Sequence, residues 1–392
     1  MNLAEIQEQI RNEGADGWLF YDHHHRDPIA YRVLGLSASL HVTRRWYYFI
    51  PAQGDPSKLV HRIEDWLLDS LPGGKRAYSS WNEMQDGLRA LLGSASRVAM
   101  QFSPHCMIPY VSLVDAGMVD LIRNIGKDVV TSASLVQYFE ARWSDEQLEM
   151  HREAGRKVDR VRRQAFEEAG SKLRVEGSVS EIAIAEFIRR RFREEHLVWD
   201  DMPIVAVNAN AANPHYAPSA EQTSVIRPGD FVLIDLWSKL DRPGSVFYDI
   251  TWTGFAGHQP PSEIQNVFEI VRSARDRAVE FVRSARTDGR PIRGFEVDDV
   301  VRGRIAEKGL AGYFTHRTGH SIGEEVHGNG ANIDNLETHD DRPIIPKTCF
   351  SIEPGVYLPG KFGVRTELDV YVSEQTAEAT GEVQQEIVTI PT

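Results

Sequence analysis

The chain has 392 residues, a formal net charge of −13, 41 % hydrophobic and 26 % charged residues. This composition suits a folded protein of about two domains and excludes a disordered chain, a collagen or a small disulfide scaffold. No run approaches the roughly 18 apolar residues of a membrane-spanning helix, and the first residues lack the basic and apolar regions of a secretion signal. The acidic balance argues against nucleic-acid backbones and anionic membranes as partners. Two cysteines, Cys106 and Cys349, make no disulfide framework and fit a reducing, cytoplasmic setting.

In chain order, the first third alternates short apolar runs with amphipathic stretches. Residues 18–20, 46–50 and 98–102 read as strands, and 2–12, 61–70, 81–92 and 112–124 as helices by their 3.6-residue period. Such alternation predicts an α/β layer. Ser144 with Gln147 three residues on forms a capping box that opens a long charged helix to about Ala169. Ser178 with Glu181 reads as a second box, opening a helix to about Arg193. A domain boundary is expected between about 130 and 143, dividing the chain into 1–138 and 139–392. The second part is richer in strands, near 203–208, 231–237, 246–254, 349–353, 363–372 and 384–390. Helices near 261–286 and 296–309 lie between them, which predicts α+β organisation.

Two aspartates stand inside apolar strands. Asp235 ends Phe231-Val232-Leu233-Ile234, and Asp249 sits in Phe247-Tyr248-Asp249-Ile250. Pro243-Gly244 between them can turn, so a hairpin would put both carboxylates on one face. A carboxylate in an apolar strand requires a partner or a metal; the bland alternative is a strand-end aspartate capping a loop. His316, His320 and His327 fall within twelve residues, punctuated by Gly319 and Gly323. Imidazole is both a metal ligand and a general acid/base, although loop histidines are also commonly just solvated. Glu353 precedes Pro354-Gly355. Arg365, Glu367 and Asp369 share one strand face by their period of two, which reads either as a site wall or as a solvent-facing charged ladder. Four carboxylates and one imidazole brought together would make a hard, oxygen-rich site. It suits two Mn²⁺, Co²⁺ or Fe²⁺ ions better than a thiolate-type zinc site, and such ions would acidify water near neutral pH.

These segments, in this order, resemble the pita-bread metallopeptidases of the creatinase/aminopeptidase P type, nearest to Xaa-Pro aminopeptidase and Xaa-Pro dipeptidase (prolidase). The likeness covers about 145–392 well and the preceding third more loosely. It implies an α/β amino-terminal domain followed by an α+β pita-bread domain. It implies Asp235, Asp249, His320, Glu353 and Glu367 as ligands of two divalent ions, Mn²⁺ first, with Co²⁺, Fe²⁺ or Zn²⁺ as alternatives. Asp249 and Glu367 would bridge the pair. Glu353 would shuttle a proton, His215, His316 and His327 would surround the scissile bond, and Arg365 would orient ligands. The family's Asp-x-Gly and Asp-x-Thr-Arg patterns are here Asp235-Leu236-Trp237 and Asp249-Ile250-Thr251-Trp252. The two indoles would therefore either reshape the pocket, with Trp237 touching substrate, or pack in the sheet core. His24 and His25, in a His-rich loop, would reach substrate from the partner chain of a homodimer, or simply be exposed.

The activity so implied is hydrolysis of the Xaa-Pro bond at the amino end of short proline-containing peptides. A dipeptidase would need a carboxylate grip, for which Arg342 is the candidate; an aminopeptidase would leave room beyond proline, and the short segment from His327 to Glu353 leans that way. The alternatives are a metal-dependent hydrolase or lyase of a small non-peptide metabolite on the same fold, and a non-catalytic peptide-binding module.

Overall fold

The computed structural model describes residues 1–392, which divide into two compact units, Met1–Glu140 and Ala141–Thr392. The first unit runs α1 (Leu3–Asn12), β1 (Gly17–Asp22), α2 (Pro28–Leu34), β2 (Trp46–Pro51), β3 (Ser57–His61), β4 (Gly74–Tyr78), α3 (Trp81–Leu92), β5 (Arg97–Met100), α4 (Ala116–Asn124), β6 (Asp128–Thr131) and α5 (Ala133–Glu140). Its six-stranded sheet has the order β4-β3-β2-β1-β5-β6. β2 is antiparallel to both neighbours and the other five strands run one way. β1 is buried along its whole length, because both faces are covered. Trp18 and Phe20 enter one apolar cluster, and Leu19 and Tyr21 enter another with residues of α3 and α4.

One expected helix is absent. Residues 61–70 form a short 3₁₀ turn and loop, with Leu68 at φ +68. Leu67, Leu68 and Leu71 do bury, but the carbonyls of Leu68 and Leu71 accept from Lys58 Nζ at 3.1 and 2.6 Å. A lysine from β3 thus satisfies carbonyls that a helix would have used itself.

The second unit opens with α6 (Asp145–Glu176), whose Ser144–Gln147 capping box forms as expected. Then come β7 (Val179–Ser180), α7 (Glu181–Glu194), β8 (Leu197–Val198), β9 (Ile204–Val207), β10 (Val225–Ile226), β11 (Phe231–Leu240) and β12 (Tyr248–Ala256). The cap of α7 is Ser180, which accepts from Ala183, and not Ser178. Two helices follow, α8 (Ser262–Thr287) and α9 (Gly294–Ala306). The remainder is β13 (Ser321–Ile322), β14 (Thr348–Ile352), β15 (Gly355–Leu358), β16 (Phe362–Arg365), β17 (Leu368–Val372), β18 (Ala377–Ala379) and β19 (Val388–Ile390).

One sheet is ordered β19-β12-β11-β8, with β9 also on β11, and a second is ordered β13-β14-β17-β18. The expected strand 363–372 breaks at Thr366–Glu367, because β16 pairs with β15 while β17 pairs with β14. At the break the Glu367 N–H donates to Thr251 O of β12 at 3.0 Å, which joins the two sheets. Alternation on β11 decides what each face meets. Val232, Ile234 and Leu236 bury with α6 and α7, whereas Phe231 and Leu233 bury with α8 and α9. Asp235 has the parity of the second set.

Close packing of α6 on β12 depends on Gly155, where a Cβ would lie 2.8 Å from Tyr248 Cε2. Gly303 of α9 is exposed, with nothing within 4 Å of a built Cβ. Helix propensity alone would have Gly→Ala stabilise both sites by roughly 1 kcal/mol. We expect Gly303→Ala to do so. Gly155→Ala should instead lower stability by about 1–3 kcal/mol through overpacking, read as a shift of the denaturant midpoint at constant slope.

Candidate metal centre

The register of β11 on β12 pairs Asp235 with Thr251 and Trp237 with Asp249. All four side chains therefore emerge on one face, as the hairpin argument expects. Arg365 at the end of β16, Glu367 in the break and Asp369 on β17 of the second sheet reach the same seam. Glu367 accepts from Thr251 Oγ1 at 2.7 Å, and Asp369 accepts from the Asp249 N–H at 2.9 Å. Arg365 is ion-paired with Asp235, and its Nε donates to Thr251 Oγ1 at 3.1 Å. All three are nearly or wholly inaccessible, so this strand face is a buried wall and not a solvent-facing ladder.

His320 arrives on the loop before β13. A Cβ at Gly319 would sit 1.9 Å from Ser351 O, so only glycine lets this loop approach β14. The loop is tied there by the His320 N–H donating to Ser351 Oγ at 3.0 Å. His320 Nε2 lies 3.5 Å from Glu353 Oε1 and 3.7 Å from Asp249 Oδ2. Asp249, His320 and Glu367 offer three ligand atoms within 4.8 Å of one another. Glu353 adjoins this group through His320, and Asp235 adjoins it through Arg365 and Thr251.

The electrostatics of the seam are one-sided. Burial, and then the neighbouring carboxylates, push Asp249 and Glu367 well above the ordinary carboxylate range. Burial also raises Asp235 and Asp369, and it pushes Glu353 up to about 7 against the pull of Arg365. Burial, with His327 adding to it, holds His320 well below its usual value, so its imidazole is neutral and free to donate a lone pair. Asp235 Oδ1, Asp249 Oδ1 and Asp369 Oδ1 are buried without a hydrogen-bond partner. Buried, mutually repelling carboxylates with unpartnered oxygens beside a neutral imidazole fit hard divalent cations.

The remaining expected residues distribute unevenly. His327 stands edge-on to His320 with ring centroids 4.3 Å apart and opens to solvent. His215 is exposed, on a loop whose Pro214 carbonyl accepts from Arg365 Nη1 at 3.4 Å, and it lies within electrostatic range of His327. His316 has both ring nitrogens engaged, donating from Nδ1 to Arg317 O and accepting at Nε2 from Tyr357 Oη, each at 2.7 Å. Tyr357 Oη in turn accepts from Arg365 Nη1 at 3.2 Å. His316 therefore orients Arg365 through Tyr357 and presents no free nitrogen to a scissile bond.

The expectation for Arg342 is corrected, and the tryptophans and the His-rich loop each find a definite place. Arg342 is buried and paired with Asp340 at 2.6 Å, with Nη1 on Asn329 O, which leaves it no group for a substrate carboxylate. The two tryptophans part company. Trp237 shares the site face beside Asp249 and is pinned by Asp200 Oδ1 at 2.6 Å, whereas Trp252 pairs with Ile234, faces α6 and lies under Arg162 at 3.5 Å. In the first unit, His25 Nε2 is engaged with Leu40 O at 2.7 Å, while His24 lines a cavity of that unit. Sequence reading misses Thr251, Tyr357 and Asp369 as members of the site. Thr251 and Asp369 carried a signal, their shared parity with Asp249 and with Arg365 and Glu367, whereas Tyr357 carried none.

The model of metallopeptidase family M24 matches residues 149–374, more than half of the chain. The chain is 26 % identical over 349 residues to a probable dipeptidase PepE of Mycobacterium tuberculosis, covering 87 % of this chain and 84 % of that protein. It is 35 % identical over 164 residues to an Xaa-Pro dipeptidase of Lactobacillus delbrueckii subsp. lactis, covering 42 % and 40 %. Among solved structures, dipeptidase PepE from Mycobacterium ulcerans matches with a TM-score of 0.72 at 23 % identity, over 100 % of this chain and 97 % of that one. X-Pro aminopeptidase from Thermotoga maritima MSB8 matches at 0.61 and 21 % identity, over 99 % of both. These likenesses are of fold, and they bear out the α/β unit followed by a pita-bread unit. With its acidic seam and the match across its second unit, the chain belongs to metallopeptidase family M24.

Proposed function

We propose that the protein is a metal-dependent exopeptidase that hydrolyses the Xaa-Pro bond at the amino end of short peptides, using two divalent cations. The observation that carries the reading is the buried seam itself, where Asp235, Asp249, Glu353 and Glu367 surround a neutral His320 and unpartnered carboxylate oxygens remain. The choice of proline rests on the names of the relatives.

Asp235, Asp249, His320, Glu353 and Glu367 would hold the cations, whose four positive charges match the four carboxylates. When bound, such ions polarise a carbonyl and acidify water. The chain's own residues do the rest. Thr251 Oγ1 donates to Glu367 and accepts from Arg365, fixing the rotamers of both. Arg365 neutralises part of the charge of Asp235 and is itself oriented by Tyr357 and His316. Glu353, at the rim of the seam, takes a proton from the attacking water at its carboxylate and passes it to the prolyl nitrogen, which must be protonated to leave as an amine when the C–N bond breaks. His327, open to solvent beside His320, and the exposed His215 meet the substrate as it enters. Mn²⁺ is the first candidate by the hardness of the donor set. The free cysteines and the absence of any helix long and apolar enough to cross a membrane are compatible with a cytoplasmic enzyme, and the family resemblance supports a homodimer.

Ala-Pro and Ala-Pro-Ala, each assayed with Mn²⁺ and with EDTA, test the reading. Release of the amino-terminal alanine, leaving proline from the dipeptide or Pro-Ala from the tripeptide, abolished by EDTA and restored by metal, is the expected outcome. Cleavage of the dipeptide alone assigns a dipeptidase, and cleavage of the tripeptide assigns an aminopeptidase. Turnover of neither by metal-loaded protein overturns the Xaa-Pro reading in favour of a small non-peptide substrate.

Glu367→Gln should abolish detectable turnover and lower the metal bound per chain, measured by elemental analysis after dialysis. Thr251→Val keeps the side-chain shape and removes two hydrogen bonds. It should cost about 10–100-fold in metal affinity or turnover, read from activity against Mn²⁺ concentration, while the unfolding midpoint moves little.

A further inference from the structure

The first unit holds a cavity of about 660 Å³ whose lining includes none of the seam residues. Its walls come from one end of the sheet. Tyr21 lies near the end of β1, His23, His24 and Arg26 follow that strand, Arg44 and Arg45 precede β2, His61 closes β3, and Tyr78 closes β4. Since β1, β3 and β4 run the same way, this is the carboxyl end of the parallel strands. Open α/β sheets bind ligands in the crevice at that end.

The cavity is positive on a chain whose net charge is −13. Three guanidinium groups and three imidazoles face one carboxylate, Asp115, and that one is already committed. It caps α4 by accepting from the Met118 N–H at 3.0 Å and also accepts from Tyr21 Oη at 3.3 Å. The carboxylates that adjoin the cavity wall point inward. Asp22 accepts from the N–H groups of His25, Arg26 and Asp27, and Glu64 accepts from the N–H groups of Thr43 and Arg44. The guanidinium groups of Arg26 and Arg45 consequently have neither a hydrogen bond nor an ion pair. Burial first, then His24, Arg26 and Arg45, lower His23 from its usual value, as a positive local field requires. Trp81, at the start of α3, is 64 % exposed and lines the same cavity, offering a flat apolar face beside the cations.

We propose that this cavity binds a phosphate-bearing small molecule with a planar ring. The unpaired arginines would take the phosphate, for which the forked guanidinium is suited, and the indole of Trp81 would stack on the ring. The volume is within the range of small-molecule sites.

The test is calorimetric titration of the full-length, metal-loaded protein with adenosine 5′-monophosphate and with adenosine at matched ionic strength. Matching removes simple screening as a cause. The nucleotide should bind saturably, and adenosine should bind at least about tenfold more weakly. The double variant Arg26→Gln/Arg45→Gln should weaken nucleotide binding by at least about tenfold while leaving Ala-Pro turnover at the wild-type rate. Trp81→Ala, at an exposed position, should weaken it without any change of fold. No saturable binding, equal binding of adenosine, or nucleotide binding that survives the double variant would overturn the site. Because the readout is binding and not turnover, its failure is distinguishable from failure of the peptidase reading.

Discussion

Like charges confined in a buried seam are the constraint on which the second unit is organised. Five carboxylates, from Asp235, Asp249, Glu353, Glu367 and Asp369, meet one guanidinium, that of Arg365. In water these groups would repel only weakly, but in a low-dielectric seam the repulsion and the lost hydration become large. The chain relieves some of it with the Asp249 N–H on Asp369, the Thr251 hydroxyl on Glu367 and the ion pair on Asp235. What remains is close to the charge of two divalent cations. An arrangement this costly persists because the surrounding sheets, packed on α6 and α7 on one side and α8 and α9 on the other, determine the backbone independently of the seam.

Strand parity made much of this legible in the sequence. Residues 235, 237, 249 and 251 must share a face once β11 and β12 pair in this register, and the period of two also groups Arg365, Glu367 and Asp369, which meet at the seam although the strand is interrupted between them. Parity also separates the two tryptophans, since Trp252 has the opposite parity to Asp249. Their common departure from the family pattern hides that difference, because a motif compares positions one at a time. The capping box at Ser144 was equally readable, being a local device with a fixed three-residue spacing.

What could not be read depends on partners distant in the chain. The interruption of β16 and β17 at Thr366–Glu367 follows from two separate strand partners and the Glu367–Thr251 hydrogen bond across 116 residues. The loss of the helix at 61–70 follows from Lys58 reaching its carbonyls. Arg342 looks like a free cation in sequence, because the carboxylate that takes it, Asp340, also resembles a surface charge there; only their joint burial shows them to be a pair. Tyr357 had no signal at all, since its role exists only through His316 and Arg365.

Burial alone does not distinguish a working carboxylate from a structural one in this chain. Glu181 is fully buried, yet it accepts from the Val207 and Ser224 N–H groups, Asn210 and Tyr216 Oη, and so fixes the loop that carries His215. Asp298 accepts from Thr318 and from the Asn335 N–H, and Asp334 accepts from the N–H groups of Leu336, Glu337 and Thr338. Together they hold the ends of the segment that bears His316, His320 and His327. Charged hydrogen bonds of this kind contribute about 1.5–3 kcal/mol each, so these acids stabilise loops that would otherwise fray. Asp27 of the first unit does keep one unpartnered oxygen, but it stands apart from other orphaned acids, and burial pushes it up to about 7, where protonation removes the charge. In the seam, three aspartates with unpartnered oxygens lie together and adjoin a neutral imidazole. Divalent cations would satisfy the oxygens of Asp235 and Asp249 together, while Asp369 holds the Asp249 backbone in place. Clustered, unsatisfied oxygen, and not burial, is what separates the site from the scaffold that holds it.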